Sequence, residues 1–185
     1  MLTLQVLGTA LFIAAFLIIA MSEDKISIDD KLLFSGYLFF TADAIFTLTN
    51  SKIGAIYALQ PYVFMCFALL TIMKYEGKLT STVLTTAFIA TGIAAAGNVN
   101  TGHEDIDYIT LGIFLGILFG YIMISFTVKK FLGFMLMSTG SIVMSYILYQ
   151  NGIYMFALVN VFGAISTMKA AIELRKLERE VCYGV

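Results

Sequence analysis

Histidine occurs once in these 185 residues, proline once, cysteine twice and tryptophan not at all, while charged side chains make up only 12% of the chain. With His103 alone, a His-Glu-x-x-His zinc motif cannot form and no serine has a histidine beside it; a paired-aspartate motif is also missing. Enzymatic activity is therefore not expected, and no cofactor or resident metal is implied. Cys66 falls inside an apolar segment and Cys182 near the end of the chain, which makes neither a disulfide framework nor a metal set. A net charge of −1 gives no reason to expect nucleic-acid binding.

Apolar residues are what the chain has in excess. They make up 60% of it, mean hydropathy is +0.93, and the length holds six or seven spans of about 20 residues. The chain reads as an all-α integral membrane protein, with spans near 2–21, 31–50, 53–73, 79–98, 108–128, 131–150 and 152–172. The first run lacks a basic leader and a small-x-small site before Ser22, so it is expected to stay as a span rather than be removed. Seven spans put the termini on opposite sides. One side then holds a single basic residue, Lys52, and the other holds ten: Lys25, Lys31, Lys74, Lys78, Lys129, Lys130, Lys169, Arg175, Lys176 and Arg179. By the positive-inside rule the N-terminus is outside and the C-terminus cytoplasmic, and the compact single chain fits a bacterial inner membrane.

Within 31–74 two apolar segments fold back on each other and carry Asp43 and Pro61. A carboxylate at the centre of a spanning helix costs about 2.5–3.5 kcal/mol on insertion scales, so Asp43 is expected to face the protein interior or water. Thr47 and Asn50 follow at i+4 and i+7 and stack on the same side. On the return segment Gln60 precedes Pro61, which removes a helical partner from the Tyr57 carbonyl and would open a polar notch at about the depth of Asp43.

Elsewhere packing explanations compete with functional ones. The fourth span is rich in small residues (Ala90, Gly92, Ala94, Ala95, Ala96, Gly97), which suits a helix pressed closely on its neighbours. The loop after it carries His103, Glu104, Asp105 and Asp107; a solvated connector is favoured over an acidic vestibule or a metal site. Gly112, Gly116 and Gly120 form a doubled small-xxx-small face for packing within the fold or between protomers of a homo-oligomer. Ser138, Ser141, Ser145 and Tyr149 recur at helical spacing, for which packing is again favoured. Asn160 is either inter-helix glue or a ligand contact, and residues 169–180 read as a helical, charged extension of the last span.

Sliding the chain by 99 residues sets Lys31 on Lys130, the turn at 50–52 on that at 149–151, and Ala58-Leu59 on Ala157-Leu158. The correspondence is one of pattern: two three-span units in the same orientation, joined by a linker helix. The expected organisation is 1–74 as a first three-helix bundle, 79–98 as linker, 106–172 as a second bundle and 173–185 as a cytoplasmic tail. On these features, with Ala58-Leu59-Gln60 before an aromatic-rich run, Asp107 before a long span, and Gln150-Asn151-Gly152-Ile153-Tyr154 before the last helix, the chain resembles the 3+1+3 SWEET-like transporters and among them the PnuC-type nicotinamide riboside transporters of bacteria. It departs from them in having no tryptophan, in Phe67 where an asparagine is expected, and in the missing hinge prolines other than Pro61. Gln60 alone matches a ligand-contacting position of that family.

The resulting expectation is a facilitative or proton-coupled transporter of a small polar or cationic metabolite, such as a nucleoside-like vitamin precursor. Its site would lie at the membrane midplane between the two triplets. Asp43, Gln60, Asn160, Ser141, Ser145 and Tyr57 are its candidate substrate contacts, with Phe64 and Tyr146 as further stacking walls. Two alternatives fit the same composition: a non-transporting interaction protein that uses the glycine face, and a small-solute or ion channel.

Overall fold

Hydrocarbon offers a backbone no hydrogen-bond partner, so apolar runs of this length must form helices or a closed barrel. Here they form helices. The computed structural model describes residues 2–21, 26–52, 55–99, 108–126, 129–150 and 152–183, with the side chains at 55–57, 108–111 and 178–183 excluded. Among the described residues there are seven helices and no strand: α1 (Leu2–Ile19), α2 (Ile28–Asn50), α3 (Ala55–Tyr75), α4 (Lys78–Ala96), α5 (Tyr108–Phe126), α6 (Lys130–Gln150) and α7 (Tyr154–Tyr183). Six of them are long and apolar enough to cross a membrane, and α5 contributes a shorter apolar stretch, Gly112–Phe126. The acidic loop with His103, Glu104, Asp105 and Asp107 lies outside the described residues, as do Glu23, Asp24 and Lys25.

Helix α2 begins three residues before the expected start of its span. Ser27 accounts for this: its hydroxyl accepts from the Asp30 backbone N–H at 3.2 Å and donates to Asp30 Oδ2 at 2.7 Å, a cap that fixes the first turn. Asp29 and Asp30 then lie where the helix dipole favours negative charge. The charged extension of α7 is helical through Tyr183, as its spacing implies.

The chain divides into two compact units, Met1–Ala15 with Leu32–Asp107, and Phe16–Lys31 with Tyr108–Val185. In the first, the Phe12 ring lies 5.6 Å from Phe39 and 5.5 Å from Phe46, and Gln5 Nε2 donates to Asn50 Oδ1 at 3.3 Å, which ties α1 to α2. Helix α4 packs along one side of α3, where the Tyr62 ring stacks on Phe88 at 4.4 Å and fills the space left open by Gly92. The rest of α4 is uncovered. Only Ala95 of its small residues is buried, whereas Ala90, Ala94, Ala96 and Gly97 are exposed, together with Val83, Ile89 and Ile93. The expectation of a helix pressed in among its neighbours is thus corrected: an apolar face suits lipid tails as well as it suits protein.

In the second unit α5, α6 and α7 form an antiparallel stack. A methyl group placed on Gly120 would stand 2.8 Å from the Gly133 carbonyl oxygen, and one on Gly133 would stand 2.7 Å from the Gly120 carbonyl oxygen. Two glycines therefore let α5 and α6 approach to backbone contact. A methyl group on Gly112 or Gly116 would meet no heavy atom within 4 Å among the described residues, so the triplet of glycines divides into one fold-internal member and two uncovered ones. The α6–α7 turn is closed by Gly152 at φ +74°, a conformation that favours glycine.

Gly120→Leu and Gly133→Leu are each expected to destabilise the folded protein by about 1–3 kcal/mol, the usual cost of overpacking. Gly112→Leu is expected to leave stability unchanged. Thermal unfolding in detergent, followed by size-exclusion recovery, distinguishes the two classes.

Candidate functional site

The buried side of α2 is built from Phe39, Phe40, Ala42, Asp43, Phe46, Thr47 and Asn50. Phe39 and Phe46 pack on Phe12 of α1, so Asp43 is enclosed by a face that folds because its neighbours are apolar. Asp43 is 2% exposed. Its carboxylate has neither a hydrogen-bond donor nor a cation among the described residues; its backbone carbonyl accepts from the Thr47 hydroxyl at 2.7 Å. Seven residues separate Asp43 from the end of α2 at Asn50, about 10 Å along the axis, whereas only four, about 6 Å, separate it from the midpoint at Phe39, so the acid lies nearer the centre of the helix than its end.

Thr47 and Asn50 do share the buried side with Asp43, as the spacing predicts, but their polar atoms are turned elsewhere. Thr47 bonds back to its own helix, and Asn50 receives the Gln5 amide of α1. Gln60 is half-buried in α3, five residues from the start of that helix and thus about 7–8 Å along it, comparable in depth to Asp43. Pro61 is buried next to it within a helix that continues on both sides. The side chain of Tyr57 lies outside the described residues. Phe64 is half-buried.

Asp43 and Gln60 belong to the first unit, whereas Ser141, Ser145 and Asn160 belong to the second. Ser145 donates to the Ala157 carbonyl at 3.1 Å and Ser138 to the Ala164 carbonyl at 2.9 Å, so both serines join α6 to α7. Asn160 is half-buried and donates to the Phe156 carbonyl of its own helix at 2.9 Å; Ser141 is buried. Tyr146, expected as a further stacking wall, is 64% exposed. Tyr149 is exposed as well and meets the Tyr154 ring edge-on at 5.6 Å.

One buried charge is not apparent from the sequence. Charge counting places Lys31 with the basic surface, yet it is buried at the start of α2, in the same unit as the Asp29–Lys130 ion pair at 3.5 Å. The signal available is the run Asp29-Asp30-Lys31 at a helix start. A lysine one turn into a capped helix has a stem long enough to lie along apolar surface.

No protein-family model, no curated protein and no solved structure matches the chain.

Replacing the two inter-helix donors together, Ser138→Ala with Ser145→Ala, is expected to lower stability by about 1–2 kcal/mol, since each such bond in a membrane interior is worth about 0.6 kcal/mol or somewhat more. Chemical unfolding in mixed micelles measures this, and an unchanged midpoint would deny these serines their structural role.

Proposed function

We propose that this chain is a membrane transporter, facilitative or proton-coupled, for a small polar or cationic metabolite. The observation that carries the proposal is Asp43: a carboxylate 2% exposed within an apolar helix, with no cation to match it among the described residues. Such a group is costly to keep in a membrane interior, and a substrate cation or a proton is what it is suited to hold. Gln60, at similar depth on α3, is suited to read hydroxyls or a ring edge beside it. In this reading the helices are arranged 3+1+3, with α4 as linker, and the ten-to-one distribution of basic residues sets the N-terminus outside and the C-terminus in the cytoplasm of a bacterium. The pattern-level likeness to PnuC-type transporters favours a nucleoside-like vitamin precursor. No catalytic chemistry and no cofactor are assigned.

A second reading is favoured by the uncovered Gly112 and Gly116, beside the exposed side chains of Leu115 and Phe119. They form a surface that could receive another span, in this or another protein, as a non-transporting interaction protein would require. A channel shares the Asp43 site and differs in showing flux that does not saturate.

Uptake into proteoliposomes separates these readings. Asp43→Asn is expected to keep the fold and lose at least about tenfold in saturable uptake, or to uncouple it from a proton gradient. Transport by Asp43→Asn at the wild-type rate would remove Asp43 from the mechanism. Loss of self-association and function in Gly116→Leu, with Asp43→Asn tolerated, would favour the interaction reading.

A further inference from the structure

A groove of about 590 Å³ runs between α6 and α7 in the second unit. Its wall is apolar, formed by Ile142, Val161, Ile165, Met168 and Ile172 with the small residue Ala164 between them. Its mouth is charged. Lys169, Glu173 and Lys176 line it along successive turns of α7. The Lys169 ammonium stands 3.9 Å from Glu173 Oε1, while Glu173 Oε2 is buried and has no hydrogen-bond donor among the described residues. Arg175 is turned aside, over the Phe131 ring at 5.6 Å.

The dimensions match one leaflet of a bilayer. From Val161 to Lys169 is eight residues, about 12 Å along the helix, against roughly 15 Å for half of the hydrocarbon layer. The charged mouth then falls at the level of the headgroups. We propose that this groove holds a phospholipid with a primary-amine headgroup, one acyl chain lying along Ile165 and Ile142, its phosphate between Lys169 and Lys176, and its ammonium paired with the partly exposed Glu173 carboxylate.

The carboxylate selects among headgroups. The Glu173 carboxylate is 24% exposed and its one cation, the Lys169 ammonium, stands at a long 3.9 Å, so a charge-assisted N–H bond from a headgroup adds to what it has. A choline headgroup offers the same phosphate and positive charge but no N–H. A glycerol headgroup offers hydroxyls but sets a net negative charge against Glu173. The two lysines alone would hold any phosphate; Glu173 between them is what calls for an amine. This site is independent of Asp43 and stands whether or not the protein transports.

Native mass spectrometry of the full chain, purified in detergent and given equal amounts of phosphatidylethanolamine and phosphatidylcholine with identical acyl chains, tests it. The wild type is expected to retain the ethanolamine lipid about tenfold better, the size of one hydrogen bond to a charged group. Glu173→Ala should bring that ratio near one while both lipids still bind, and Ile165→Trp should reduce the retention of both by filling the groove. Equal retention of the two lipids by the wild type would overturn the proposal and leave the groove as part of the unselective lipid boundary. Preference for phosphatidylcholine or phosphatidylglycerol, retention of no lipid, or a preference that survives Glu173→Ala would overturn it too. The wild-type comparison requires no variant to fold.

Discussion

A polar group inside hydrocarbon must find its partner within the protein, and this constraint shapes the buried hydroxyls and amides among the described residues. The simplest answer is the group's own helix. Thr9 donates to the Gln5 carbonyl, Thr47 to Asp43, Thr71 to Phe67, Thr167 to Gly163 and Asn160 to Phe156, each one turn back. Such bonds make a polar residue compatible with an apolar helix without committing it to any neighbour. A second group bridges helices: Ser138 and Ser145 reach α7, and Gln5 reaches Asn50. These bonds specify which helices pair and at what register.

Asp43 belongs to neither group, and its difference is chemical. A carboxylate has no proton to donate to a preceding carbonyl when ionised, so bonding back along the helix is closed to it. It sits among Phe39, Phe46 and Thr47, whose packing defines the first unit, and replacing it by an apolar residue of similar size would cost that packing little. An unfavourable group in a place where an apolar one would serve the fold is best explained by a task. Glu173, at the mouth of the α6–α7 groove, is placed differently: its side chain is 24% exposed and stands 3.9 Å from the Lys169 ammonium, where a headgroup rather than a substrate is the further partner at hand.

Much of the architecture is legible in the sequence because hydropathy and chain breaks act locally. Among the described residues seven helices follow the seven apolar runs, the charged end of the last one stays helical, and the burial of Asp43 follows from the cost of a carboxylate in lipid. What escapes depends on neighbours. The start of α2 hinges on Ser27 capping Asp30, a motif that stands in the sequence but lies outside the apolar run. Small residues in α4 read as a packing face, yet which faces of an apolar helix meet protein and which meet lipid is not encoded in composition. The glycines of α5 look equivalent in sequence, and only the position of Gly133 on α6 singles out Gly120. Ser145 and Tyr146 are adjacent, one committed to an inter-helix bond and the other turned outward, a distinction set by the rotation of α6 rather than by residue type.

The functional proposal turns on the Asp43 carboxylate receiving a positively charged or polar ligand. A thermal-shift screen of the detergent-purified protein against nucleosides, vitamin precursors, sugars and small cations, run in parallel on Asp43→Asn, puts this to the test. At least one compound is expected to raise the unfolding temperature of the wild type and leave that of Asp43→Asn where it was. Compounds that shift both proteins equally, or a panel that shifts neither, would contradict that role for Asp43.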